Sequence, residues 1–341
     1  MNRLELEDTT RALLAPGKGL LAADESLGTI EKRFKLLSIE STGQTRRAYR
    51  EMLFTTPGCA EFLSGVILFD ETLRDKASDG TPFPQLLAAR GIMPGIKVDA
   101  GAKEMALFPN EKITEGLDGL RERLAQYQVL GARFAKWRAV ITIGPGLPTS
   151  ACLDANAHAL ARYAALCQEA GIVPIVEPEV LMDGEHTIER CQEVTEATLR
   201  ATFEALVRGG VLLEGMLLKP NMVLPSLSVA SVGVEEVARR TLGTLRRTVP
   251  AAVAGIVFLS GGQNDREATA RLNAMNSTGE ALPWQLSFSF ARALQDEAMK
   301  LWKGEAGQVA QAQEAFAHRL RLNSAARAGR YSSAMEDGAA S

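Results

Sequence analysis

Histidine is scarce in this chain: His158, His186 and His318 are the only three in 341 residues, and none stands in an i,i+4 pair. That spacing offers neither a zinc-type ligand set nor a Ser/His/Asp apparatus. Cysteine is equally thin. Cys59, Cys152, Cys167 and Cys191 lie far apart with no CxxC spacing, which points to reduced structural thiols rather than a disulfide framework. No run approaches the roughly 18 apolar residues of a membrane span. The N-terminal segment carries Glu5, Glu7 and Asp8, acids that a signal or transit peptide would lack. An excess of one charge is missing too, since 38 Lys+Arg face 41 Asp+Glu for a formal net charge of -3. Such a balance supplies no broad basic footprint for nucleic acid or an anionic membrane. These absences predict a cytoplasmic protein with no metal, no organic cofactor, no nucleic-acid partner and no membrane partner. They push the chemistry toward Lys, Asp and Glu, and any anionic ligand has to meet a local cluster of cations.

What is present is ample apolar material, 46% of residues, arranged in short runs each followed by a longer amphipathic segment. The runs are Leu20–Ala23, Val66–Asp70, Gly95–Val98, Phe134–Val140, Ile172–Glu177, Met216–Lys219, Gly255–Ser260 and Gln285–Phe290. Alternation of this kind predicts βα units around a parallel sheet, and eight of them fill one (β/α)₈ barrel. Helices are expected over Leu4–Leu14, Asp154–Ala170, Thr187–Val207, Ala291–Trp302 and Gln308–Ala326. The reading is α/β: a single barrel domain over residues 1–326 with extra N- and C-terminal helices, then a mobile Gly/Ser/Ala-rich tail over 327–341.

In such a barrel the strands' C-terminal ends carry the site, so charges there are informative. Here they recur: Asp24, Glu71, Lys97, Lys136, Glu177, Glu179 and Lys219, with Ser260 and Arg292 at the last two strands. One charge at a strand end is ordinary, but several aimed at one axis are costly unless they pair with each other or with a ligand. Lys219 is the best nucleophile, following Met216-Leu217-Leu218 and preceding Pro220, which fixes the backbone. Desolvation and the cations Lys136 and Lys97 favour its free amine, which forms an iminium with a ketone and so replaces a metal as electron sink. Glu177 and Glu179 are suited to proton transfer, and, flanking Pro178, are expected to diverge, one acting while the other orients a lysine. Asp24 can reach the same centre. Ser260-Gly261-Gly262 and Arg292 suit a phosphate, and Lys97, Arg33 and Arg138 with Ser26 and Thr29 suit a second one.

Beyond these single residues, whole segments resemble the class I fructose-bisphosphate aldolases. The matching strings are Leu20–Ser26, Gly65–Leu73, Gly95–Asp99, Gly116–Leu120, Phe134–Arg138, Ile172–Glu179, Leu213–Val223 and Phe258–Gln263, colinear over nearly the whole chain. The resemblance implies Lys219 as Schiff-base lysine, Glu177 as the proton-transfer group, Lys136 as the cation at the carbinolamine, Asp24 near the C4 hydroxyl and Glu179 in support. It implies Ser260, Gly261 and Arg292 at the C1 phosphate of a phosphorylated sugar, with Ser26, Thr29, Arg33, Lys97 and Arg138 at the C6 end. It also implies a homotetramer. Animal members end in a tyrosine that reaches the site, whereas the last tyrosine here is Tyr331. A Schiff-base aldolase preferring a ketose 1-phosphate and a non-catalytic binding barrel are the alternatives.

Overall fold

The alternation of short apolar runs and amphipathic segments is realised as a closed barrel in a computed structural model that describes residues 2–338. Among the described residues ten strands form, in chain order β1 (Gly19–Ala23), β2 (Leu63–Leu68), β3 (Met93–Lys97), β4 (Ala102–Glu104), β5 (Lys112–Thr114), β6 (Phe134–Ile141), β7 (Val173–Val180), β8 (Leu217–Leu218), β9 (Gly255–Phe258) and β10 (Gln285–Phe290). Eight of them close in the order β1-β10-β9-β8-β7-β6-β3-β2, every pair parallel. β4 and β5 make a separate hairpin between β3 and β6 that the sequence did not announce. The second strand starts and ends earlier than its apolar run suggested, because Asp70 already opens the short helix Asp70–Arg74. Among the described residues no helix is long and apolar enough to cross a membrane.

The expected N- and C-terminal helices are Arg3–Leu13, Arg292–Trp302 and Val309–Arg327, and the two long crossover helices are Ser150–Glu169 and Ile188–Arg208. Thr149 and Thr187 open the crossover helices by accepting from the amides of Cys152 and Arg190. The tail departs from expectation. Arg327 is not free chain but the last residue of its helix, and the segment beyond it is tied down as far as Glu336. Tyr331 N donates to Asn273 Oδ1 (2.9 Å), Tyr331 Oη donates to Glu336 Oε1 (2.8 Å), and Glu336 pairs with the buried Arg319 (2.6 Å). A composition rich in small residues does not reveal such specific partners. Residues 339–341 of the expected tail lie outside the described residues.

The strand registers fix what points inward at each height. Barrel strands tilt so that the level rises about one residue per strand, and each layer draws four side chains from alternate strands. Two strands on from Lys136 the register partner is Leu217, so a rise of two residues puts Lys219 level with Lys136. The same step from Lys219 leads to Ser289, from Ser289 to Ile67, and from Ile67 back to Lys136. Below this layer lie Leu20, Gly95, Ile175 and Val257, and below those Gly65, Phe134, Leu217 and Ser287. Above it lie Ala22, Lys97, Glu177 and Leu259. The lower barrel is therefore a packed core, mostly apolar, and chemistry begins at the third layer.

The Phe134 ring fills the axis because Gly65 and Gly95 leave it room: a Cβ at Gly65 would lie 2.8 Å from the ring, and one at Gly95 would overlap it. Overpacking of this kind costs about 1–3 kcal/mol. Gly95→Ala should lower stability in urea by that amount, and adding Phe134→Leu should recover part of it. Equal midpoints for wild type and Gly95→Ala would show that the ring has space to move.

Candidate active site

The C-terminal ends of the strands open into a cavity of about 920 Å³ whose floor is the two upper layers. Lys219 emerges directly after β8. Its amide donates to Val176 O (2.8 Å), and Leu259 N donates to Pro220 O (3.2 Å), so the backbone on both sides of the lysine is held by neighbouring strands. Lys219 Nζ lies 3.2 Å from Glu177 Oε1, Glu177 Oε2 lies 3.1 Å from Lys136 Nζ, and Lys136 Nζ lies 2.7 Å from Asp24 Oδ2. Four strands thus deliver an unbroken chain of alternating charge. Side-chain exposure is 4% for Lys219, Lys136 and Glu177 and 11% for Asp24, so little water screens it.

Within this chain Glu177 Oε2 is off hydrogen-bond geometry and accepts no hydrogen bond among the described residues. It keeps a lone pair for a proton. Burial alone would raise the pKa of Asp24, but the charges of Lys136 and Lys219, the hydrogen bond from Lys136 and the more distant charge of Lys97 outweigh it and hold the carboxyl at about 2. For Lys136 burial works against the ammonium, yet Asp24, Glu177 and Asp99 together raise its pKa, so it keeps its proton. Glu179 also faces the cavity, paired with Arg138. Its divergence from Glu177 is not observed: both sit on β7 two residues apart, and residues two apart on a strand share a face. Burial disfavours the Arg138 cation, but Glu179 and then Glu177 and Asp99 raise its pKa overall.

Two anion-suited clusters flank the charged chain. At the ends of β9 and β10, Ser260, Gly261, Ala291 and Arg292 line the cavity, and Arg292 has no acidic partner among the described residues. Gly261 and Gly262 have φ of 32° and 46°, a left-handed turn that exposes backbone N–H groups and that a side chain would strain. Ser26 and Thr29, after β1 and with hydroxyl oxygens 3.0 Å apart, line the cavity as well, as do Lys97 and Arg138 on β3 and β6. Lys97 is engaged by Asp99, at 2.6 Å from Oδ1 and donating to the backbone oxygen at 2.8 Å.

These segments match known proteins along the whole chain. The family described as "Fructose-bisphosphate aldolase class-I" matches residues 5–341. The chain belongs to the class I fructose-bisphosphate aldolases. It is 56% identical to a probable class 1 aldolase of Xanthomonas campestris over 96% of this chain and 98% of that one. It is also 56% identical to the cytosolic fructose-bisphosphate aldolase 6 of Arabidopsis thaliana, over 93% of this chain and 88% of that one. Among solved structures it overlays on the Plasmodium falciparum fructose-bisphosphate aldolase, crystallised with TRAP and a small-molecule inhibitor. The TM-score is 0.95 at 48% identity, covering 96% and 95% of the two chains.

Lys219, Glu177, Lys136, Asp24, Glu179, Ser26, Thr29, Lys97, Arg138, Ser260, Gly261 and Arg292 all line one cavity. Arg33 does not. Its guanidinium is held by Glu25, by Gln295 (3.1 Å) and by Asp296 (2.9 Å), away from the cavity wall. Glu71 likewise faces Arg46 (2.5 Å) rather than the barrel axis. Sequence reasoning passed over Lys32, which lines the cavity and has no acidic partner among the described residues. The signal existed: Ser26, Thr29 and Lys32 recur every three residues and so share a helix face. It also passed over Asp99, whose Oδ2 accepts from Arg138 N (3.2 Å) while Oδ1 faces Lys97, and over the buried Ser289.

A depressed carboxyl stabilises the fold above its unfolded value, here 3.8, and that stability is lost as pH falls toward about 2. For Asp24 the amount is on the order of 2 kcal/mol. Urea unfolding from pH 5 down to pH 2 should therefore show a shallower acid loss in Asp24→Asn than in the wild type. Parallel acid limbs would mean that Asp24 is not held in its charged form by Lys136.

Proposed function

We propose that this chain catalyses reversible cleavage of fructose 1,6-bisphosphate to dihydroxyacetone phosphate and glyceraldehyde 3-phosphate through an imine on Lys219. The observation that carries the reading is the buried contact of Lys219 with Glu177, which in turn meets Lys136 and Asp24. The amine of Lys219 adds to the C2 carbonyl, giving a carbinolamine. Glu177 delivers a proton to its hydroxyl, which leaves as water, and the iminium remains. Asp24 takes the C4 hydroxyl proton, the C3–C4 bond breaks, its electron pair moves toward the iminium nitrogen, and the aldehyde departs. Protonation of the enamine at C3 and addition of water then release the ketose phosphate and restore the amine. Lys136, kept charged by two carboxylates, holds developing negative charge on substrate oxygens.

Ser260, the Gly261 backbone and Arg292 are assigned to the C1 phosphate. At the C6 end we assign Ser26, Thr29 and Lys97, with Arg138 as neighbour, and we place Lys32 there in preference to Arg33, whose donors are already engaged. We further propose a cytoplasmic homotetramer. Relatives described as cytosolic support the compartment, and a groove of about 620 Å³ on the outer helices, where small residues such as Ala161 and Ala205 lie among the charged Asp154, Arg162, Glu204 and Arg208, is the surface we assign to packing against another copy.

Borohydride trapping with dihydroxyacetone phosphate in EDTA, followed by peptide mapping, tests the reading. An adduct on Lys219 that vanishes in Lys219→Ala is expected. Full cleavage activity in Lys219→Ala would remove the imine mechanism. Arg292→Ala should weaken binding of either ketose phosphate by about 1.5–3 kcal/mol, the worth of one charge-assisted hydrogen bond. Lys32→Ala should raise KM for the bisphosphate while leaving that for fructose 1-phosphate in place. Equal effects on both substrates would place Lys32 outside the C6 end.

A further inference from the structure

The Ser260–Gly262 turn is backed by a buried cation that the mechanism above does not use. Gln263 is buried and folds its side chain back so that Nε2 donates to Ser260 O (2.8 Å). Its Oε1 accepts from Nη1 of Arg271 (2.9 Å), on the helix Asp265–Asn276. Arg271 is 5% exposed, yet it lacks the close carboxylate that other buried arginines have. Arg50 and Arg319 each meet one at 2.6 Å, whereas the only acid paired with Arg271 among the described residues is Glu267, at 3.6 Å and 40% exposed. Its Nε has no hydrogen-bond partner among the described residues, and burial lowers its pKa against the weaker pull of Glu267. A guanidinium keeps its proton even so, and a buried positive charge with so little compensation is costly unless an anion answers it.

The hydrogen bonds set the direction in which that charge acts. A guanidinium has only donors, so Gln263 must turn Oε1 toward Arg271 and Nε2 toward Ser260 O. Ser260 O and Gly261 N–H belong to one peptide group, which is trans, and across a trans peptide the two point in opposite directions. Donation by Gln263 to that oxygen therefore aims the Gly261 N–H away from Gln263, and Gly261 itself lines the cavity. Neither Gly261 N nor Gly262 N makes a backbone hydrogen bond among the described residues. Two amide dipoles, the Gln263 side chain and the Ser260–Gly261 peptide, are thus strung head to tail between the buried cation and the Gly261 N–H. Hydrogen bonds in such a chain polarise one another. We propose that Arg271 is a positioning residue for the anion subsite: acting through Gln263, it locks the Ser260–Gly262 turn and strengthens the Gly261 amide as a donor to the substrate phosphate. The inference rests on that turn holding the C1 phosphate and on Lys219 being the imine lysine.

The experiment is borohydride trapping of wild type, Arg271→Met, Arg271→Lys and Gln263→Glu, titrated with dihydroxyacetone phosphate and separately with unphosphorylated dihydroxyacetone. Arg271→Met should need about tenfold more dihydroxyacetone phosphate for half-maximal adduct, within the worth of one hydrogen bond to a charged group. With dihydroxyacetone its requirement should match wild type. Arg271→Lys keeps a cation beside Oε1 and should recover most of the loss. Gln263→Glu separates relay from scaffold: its carboxylate can pair with Arg271, but it has no N–H for Ser260 O. It should melt no lower than Arg271→Met and still show the phosphate-specific loss. If Arg271→Met does not fold, Gln263→Glu against Arg271→Lys makes the same comparison. Phosphate titrations equal to wild type in the Met and Glu variants overturn the inference and leave the Lys219 reading standing. An equal penalty with both ketones also overturns it, since Arg271 would then brace the barrel mouth as a whole. No adduct with either ketone in the wild type sinks the Lys219 reading, and this inference with it.

Discussion

The interaction on which the site depends is the buried run of charges Asp24–Lys136–Glu177–Lys219. Two cations and two carboxylates, none more than 11% exposed, are held 2.7–3.2 Å apart by β1, β6, β7 and β8 or the residues just beyond them. Each ion alone at that depth costs several kcal/mol, and removing one member leaves its neighbour uncompensated. No two consecutive members come from one strand, so the arrangement exists only when the sheet is closed and in register. That requirement explains the economy of the lower barrel. Gly65 and Gly95 admit the Phe134 ring to the axis, and apolar side chains complete a rigid plug on which the charged layers rest.

Around this centre the mouth separates cations that hold the structure from cations that await a ligand. Arg33, Arg138 and Lys97 are claimed by Glu25, Glu179 and Asp99, and in each case the carboxylate is itself largely buried. Arg292 and Lys32 have no such partner among the described residues, and both line the cavity. A phosphate gains most from a cation that gives up no other contact to reach it.

Much of this was legible in the sequence for a simple reason. Apolar runs followed by amphipathic segments reveal βα units, and a polar residue closing an apolar run reveals the mouth of the barrel. Lys219, Lys136, Glu177 and Asp24 could be named from that pattern alone. Direction was harder. Glu177 and Glu179 share a face because β7 continues through Pro178, Glu71 turns outward because a helix has already begun at Asp70, and Arg33 is drawn off by Glu25 and Asp296. Each outcome depends on a partner distant in sequence, as does the anchoring of the tail by Arg319. Ser289 was invisible for the opposite reason: its mark is the absence of a hydrogen-bond partner among the described residues, which only the packed structure can display.

The assignment of Lys219 as nucleophile, proposed above, rests on the same neighbours. Lys136 and Lys219 occupy one layer, are equally buried and both emerge from apolar strands, so position alone does not separate them. Their carboxylates do. Lys136 is gripped by Asp24 at 2.7 Å and Glu177 at 3.1 Å and is stabilised as a cation, whereas Lys219 meets a single carboxylate oxygen at 3.2 Å. An amine has to be unprotonated to attack a carbonyl, and Lys219 is the lysine that fewer anions hold. In the imine proposed on Lys219 the nitrogen again carries positive charge at the same place, facing the same Glu177. The carboxylate that contacts the resting lysine is thus already positioned for the iminium, and the protein has little to rearrange between the two states.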